Sequence, residues 1–186
     1  DFDGYELDFT RFIWSLPQGR EREIAPLMTE FVRDVRAELD AIADRRGRPY
    51  TLAVHVVDSL ETCLLLGLDA ETWMSEGLVD VVITGMGFSP FTMRLGDWIA
   101  LQNRYDIPVY PSLNTRPLFR LYKERMRRVS AWHEYIRAVC AWWWQSGADG
   151  MYLFNLFTHH EERGVGALDK EVVYGQLNEL GDPAGL

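Results

Sequence analysis

The chain reads as an α/β fold built from repeated strand-then-helix units around a parallel sheet. Three observations predict it. Five short apolar, β-branched runs alternate with helical segments at roughly even intervals, the pattern of right-handed β-α units. No strand is followed by a Gly-rich phosphate loop, so a smaller doubly wound nucleotide-binding sheet lacks local support. The first run, Asp3-Gly4-Tyr5-Glu6-Leu7-Asp8-Phe9, places Tyr5, Leu7 and Phe9 on one strand face and Glu6 and Asp8 on the other. Unpaired carboxylates are costly to bury, so their face should line a wet cavity, as a barrel lumen does near the C-terminal strand ends. A complete (β/α)₈ TIM barrel needs about 250 residues. With 186 residues, and opening inside a strand, the chain is expected to be a single domain over residues 1–186. That domain would hold about the last five β-α units, the C-terminal portion of such a barrel.

Each element has a local reason. Thr10 to Arg20, with Arg11, Trp14, Pro17 and Gly19, is too irregular for a helix and predicts a long loop walling the site. Leu27, Phe31, Val35, Leu39 and Ile42 recur at helical spacing, predicting an amphipathic helix from Ile24 to Arg45 that ends at Arg45-Arg46-Gly47-Arg48. Tyr50 to Val57 is a strand buried on both faces. Asp58-Ser59 can cap a short helix carrying Glu61 to Leu66, and Asp69 another through Glu76, which Gly77 ends. Val79 to Thr84 is the third strand, followed by a loop through Gly85-Met86-Gly87 and Pro90 to Met93, then a helix over Leu95 to Arg104. Pro108 to Leu113 is the fourth strand, leading to Asn114 and a basic helical region from Leu118 towards Arg128. Ser130 can cap a long helix containing Trp132, Tyr135, Ile136, Val139 and Trp143, which Gly147 terminates. The fifth strand is Gly150 to Leu156. Its opening Asp149-Gly150-Met151-Tyr152 echoes Asp3-Gly4-Tyr5-Glu6, a shared requirement of the turn into a strand. A polar tail follows from His159, with a short helix around Lys170 to Leu180.

Composition narrows the function classes. The 47% apolar and 25% charged residues are ordinary for a globular domain. A net charge of −9 disfavours nucleic acid and anionic membranes as partners. The basic cluster Arg116 to Arg128 has the spacing of one solvated helical face. No apolar run is long enough to cross a bilayer and no signal-peptide pattern is present, so the chain is expected to be soluble, its location open. Cys63 and Cys140 lack metal-ligand spacing and read as small core residues. His159-His160-Glu161-Glu162 lacks the i, i+4 arrangement of a helical metal site, so no metal or cofactor is expected. There is no G-x-S-x-G elbow.

The acids of the first strand carry the chemistry. Glycoside hydrolysis uses two carboxylates about 5 to 9.5 Å apart, and residues two apart on a strand have Cα atoms about 7 Å apart. Glu6 and Asp8 are therefore the candidate catalytic pair, Asp8 as the more exposed acid or base and Glu6 as its deeper partner. They could instead neutralise Arg11 and His55 in a buried polar network. Asp58 is an alternative second carboxylate or a helix cap. His55 reads as an inward hydrogen-bonding group or a satisfied core residue. Tyr110, Asn114 and Asn155 occupy strand ends where they could bind sugar hydroxyls. Trp14 is the candidate stacking platform, whereas Trp142-Trp143-Trp144 is mostly helix packing.

Four pieces carry a resemblance: Asp3 to Phe9, Leu52-Ala53-Val54-His55-Val56, Pro108-Val109-Tyr110-Pro111 and Gly147 to Asn155. Together they resemble the C-terminal part of (β/α)₈ glycosyl hydrolases, closest to the family-10-like glycosyl hydrolase proteins. The first piece is also similar to the D-G-x-D-x-D-x-E strand of family-18 chitinases: Asp3, Gly4 and Asp8 match, Glu6 replaces an Asp, and Thr10 stands where that family keeps its acid. Tyr110-Pro111-Ser112-Leu113-Asn114 lacks the nucleophile Glu that retaining barrel glycosidases of the largest clan carry on the strand it would correspond to. The resemblance implies a glycoside hydrolase acting on an oligosaccharide or polysaccharide. The alternative is a non-catalytic carbohydrate-binding or structural barrel domain. An open barrel would also self-associate or be completed by missing N-terminal units.

Overall fold

The computed structural model describes residues 2–11, 19–86, 93–114, 129–154, 174–175 and 177–184, with 114 and 129–133 described by their backbone alone. Five strands form one parallel sheet in chain order: β1 (Gly4–Asp8), β2 (Thr51–Val56), β3 (Val81–Thr84), β4 (Val109–Asn114) and β5 (Tyr152–Phe154). Between them run α1 (Glu21–Arg46), α2 (Leu60–Leu65), α3 (Ala70–Ser75), α4 (Gly96–Tyr105) and α5 (Val129–Gln145), and α6 (Leu177–Leu180) follows β5. The sheet curls into half a barrel. Laid flat, β1 and β5 would stand about 19 Å apart, yet the Tyr152 hydroxyl of β5 donates to Glu6 Oε1 of β1 at 3.2 Å.

Local signals set most boundaries. Helix α1 begins three residues before the expected Ile24 because Glu21 and Glu23 favour its first turn, and it stops at Gly47, whose left-handed backbone (φ 71°) returns an N–H to the Ala43 carbonyl. Ser59 alone caps α2, accepting from the Thr62 N–H, so Asp58 is not the cap. Asp69 caps α3 through both the N–H and the hydroxyl of Thr72. Helix α5 already includes Ser130, which is therefore not its N-cap. Strand β5 starts two residues later than expected, and Gly150 ahead of it lies so close to the Tyr110 ring that a Cβ there would come within 2.6 Å of it. The other glycine of the echoed pair, Gly4, is also tight against β2, where a Cβ would meet the Thr51 carbonyl at 2.9 Å.

The helices cover the convex face. Leu52, Val54 and Val56 of β2 and Val82 and Val109 of their neighbours pack with Val32, Trp73, Met74 and Trp98, and Leu7 and Phe9 join them from β1. The Phe9 and Trp73 rings lie 5.6 Å apart. A second cluster joins Leu113 to Ile136, Val139, Cys140 and Trp143 of α5. Gln102 bridges the two halves, donating to the Gly147 carbonyl and accepting from the Val109 N–H. Cys63 and Cys140 are buried free thiols, one in each cluster, each pushed up to about 12 by burial. Of the tryptophan run, Trp143 is buried and Trp144 donates to the Leu180 carbonyl, while Trp142 is exposed. Among the described residues, no helix is long and apolar enough to cross a membrane.

Candidate functional site

Strand register gathers one set of side chains on the concave face. Asp8 pairs with His55, His55 with Ile83, and Ile83 with Tyr110, while Ser112 pairs with Tyr152 and Asn114 with Phe154. Partners in a parallel register point the same way, so Glu6, Asp8, His55, Tyr110, Ser112, Tyr152 and Phe154 share the lumenal side. Glu6 and Asp8 turn away from the helical shell because Leu7 and Phe9 occupy it.

The two acids meet over one imidazole. His55 is fully buried, and its Nδ1 lies 3.7 Å from Asp8 Oδ1 and 3.9 Å from Glu6 Oε1. These two oxygens are therefore closer together than the widest carboxylate spacing of glycosidases, about 9.5 Å. The opposite nitrogen, Nε2, lies 2.6 Å from the Gly85 carbonyl. Tyr152 and Phe154 flank the ring at centroid distances of 5.0 and 5.7 Å. Asp8 Oδ1 also accepts from the Thr10 N–H at 2.8 Å and the Thr10 hydroxyl at 2.7 Å. As residues, Asp8 is exposed and Glu6 half-buried, although their side chains are equally accessible at 32%.

Burial sets the proton affinities. It raises the Glu6 carboxyl above its ordinary value, and the charge of Asp8 adds to this while the Tyr152 hydrogen bond opposes it. It lowers His55, against the opposing pull of the Gly85 carbonyl and Asp8. The Tyr152 phenol is pushed up to about 12 by burial and then by Glu6, so it remains a donor.

The remaining candidates divide. The Arg11 guanidinium sits 5.3 Å from the centroid of the Phe154 ring, and among the described residues no ion pair joins it to either acid. Its neutralising role is thus not the one observed. Tyr110 shares the lumenal row, its ring against Gly150. Asp58 stands apart: its carbonyl accepts from the Trp98 indole, its charge acts on Cys63, and no described contact joins it to Glu6, Asp8 or His55. Asn114 ends β4 beside Phe154. Trp14, Asn155, Arg116 to Arg128 and His159 to Glu162 lie outside the described residues. Among those described, no group of three or more His, Cys, Asp and Glu is arranged to hold a metal ion.

Sequence reasoning missed Tyr152, Phe154 and the Gly85 carbonyl as parts of the site. One signal was present. Aligning the echoed openings sets Tyr152 opposite Glu6, and these equivalent residues are the two that hydrogen-bond across the sheet. A cleft of about 450 Å³ at the other, N-terminal ends of β2 and β3 is lined by Arg36, Asp40, Tyr50 and Asp80. Arg36 is committed there to Asp80, Asp40 and the Tyr50 carbonyl, a structural role typical of that barrel end. No family model matches the chain, and no curated protein matches it.

Proposed function

We propose that the chain is carbohydrate-active, a glycoside hydrolase of the family-10-like (β/α)₈ kind that cleaves O-glycosidic bonds by carboxylate acid/base catalysis. The observation that carries this reading is the pairing of Glu6, a half-buried acid whose burial favours the protonated form, with a second carboxylate, Asp8, on the concave face, both within 4 Å of His55 Nδ1 and both partly accessible to solvent. The raised group is Glu6, so the proton-donating role falls to it and the charged role to Asp8, which Thr10 holds as an acceptor. This reverses the order expected from exposure alone. Tyr110 and Arg11 border the same surface and would bind sugar hydroxyls. The Glu6–Tyr152 bond also supports eightfold closure: four strand-to-strand steps bring β1 opposite β5, half a circuit of an eight-stranded barrel.

A panel of chromogenic aryl glycosides and oligosaccharides tests the proposal, with Glu6→Gln and Asp8→Asn as variants. Turnover should fall roughly 10²- to 10⁴-fold in each, while calorimetric binding of the oligosaccharide persists. Hydrolysis that is undiminished in both variants removes these acids from the mechanism. A non-catalytic carbohydrate-binding role is the second reading, favoured by the two Thr10 hydrogen bonds that already occupy Asp8 Oδ1. It predicts sugar binding with no turnover in the unaltered chain.

A further inference from the structure

The hydrogen-bond inventory around His55 does not balance. The Gly85 carbonyl can only accept, so Nε2 must carry a proton. In a neutral ring this leaves Nδ1 as a lone pair, and Nδ1 is buried with no hydrogen-bond partner. The groups facing it are Asp8 Oδ1 at 3.7 Å and Glu6 Oε1 at 3.9 Å, and ionised carboxylates only accept. Three acceptors thus converge without a donor among them.

The two acids differ in how well they are already satisfied. Asp8 Oδ1 receives two hydrogen bonds from Thr10, whereas Glu6 Oε1 receives one from Tyr152 at 3.2 Å. From β3 come Ile83 and the Gly85 carbonyl, neither titratable, and from β4 comes Tyr110 in the same row. From β5 come Tyr152 and Phe154, the latter under the Arg11 guanidinium.

We infer that Glu6 rests as the neutral acid with its proton directed at His55 Nδ1, and that His55 is a positioning residue which reserves this proton for Glu6 over Asp8. At 3.9 Å the pair is too far apart for a hydrogen bond, so the contact requires the Glu6 carboxyl to turn about its terminal torsion, which is a soft one. Burial of both groups acts in the same direction, raising Glu6 and lowering His55. The converging acceptors require a proton among them, and burial favours the Glu6 carboxyl over the His55 ring as the place for that proton. Its use in catalysis rests on the sugar-cleaving reading.

The test is spectroscopic and uses the full chain at neutral pH. Nitrogen-15 NMR of labelled histidine should show His55 neutral, protonated at Nε2, with Nδ1 as acceptor. Infrared spectra should show a protonated carboxyl band that survives in Asp8→Asn and disappears in Glu6→Gln. A His55 imidazolium, an Nδ1–H tautomer, or a carboxyl band missing from the unaltered chain or retained in Glu6→Gln each overturns the inference. If a variant does not fold, the spectra of the unaltered chain still decide it. Where glycosidase turnover is found, His55→Gln should move the limb of the pH profile set by Glu6, and a uniform loss of rate at every pH contradicts the positioning role. If no sugar is cleaved, the spectra decide the proton's place by themselves.

Discussion

His55 and Glu6 pull the pH dependence of stability in opposite directions. The folded state makes His55 harder to protonate, so its contribution is complete above the unfolded value of about 6.5 and is lost as pH falls from there through the lowered folded value. Glu6 holds its proton more tightly when folded, so its contribution is complete below about 4.5 and is lost as pH rises through the raised folded value. Glu6→Gln should therefore raise stability at pH 7 relative to pH 4, measured as urea midpoints across a pH series. An unchanged difference between the two pH values would show that Glu6 titrates alike in both states. At this scale the sequence was informative where strand alternation applies, and it brought Glu6 and Asp8 to one face. It hinted at Tyr152 only through the echoed strand openings and was silent on a main-chain carbonyl, because a partner supplied from a distant strand leaves no pattern around Glu6 itself.

Elements were legible where their ends carry their own chemistry. Ser59, Asp69, Gly47 and Gly77 act at or next to the ends where turn and cap residues were expected. Contacts between elements were less legible, since they depend on which faces meet. The Trp73 indole, fully buried on α3, donates to the Thr29 hydroxyl of α1 at 3.0 Å. Thr29→Val keeps the shape and strands that donor, so unfolding free energy should drop by about 1–3 kcal/mol. A drop within error would mean that the indole finds another acceptor. Gly150→Ala should cost about 1–3 kcal/mol through overpacking, since the new methyl meets the Tyr110 ring. The double variant with Tyr110→Ala should recover part of that loss, and strictly additive effects in the denaturation cycle would rule the clash out.

For the molecule as a whole, chain order foretold five parallel strands, but the degree of curl depends on how all the strands pack together and could not be read from any one segment. Among the described residues neither outer edge of the sheet is paired, and Phe2, just ahead of β1, and Tyr5 within it are exposed at 79% and 56%. Unpaired edges favour association, and a lysine on the edge strand weakens it. Sedimentation should show average mass rising with concentration, and Tyr5→Lys should suppress the rise. A mass independent of concentration in the unaltered chain contradicts this. The bond between Glu6 and Tyr152 joins residues 146 positions apart. Contacts of such long range are slow to form because the intervening chain must first be ordered. A nascent or partly refolded chain has its acids early but lacks their tyrosine until the last strand docks, which makes the assembled cluster a late product of folding.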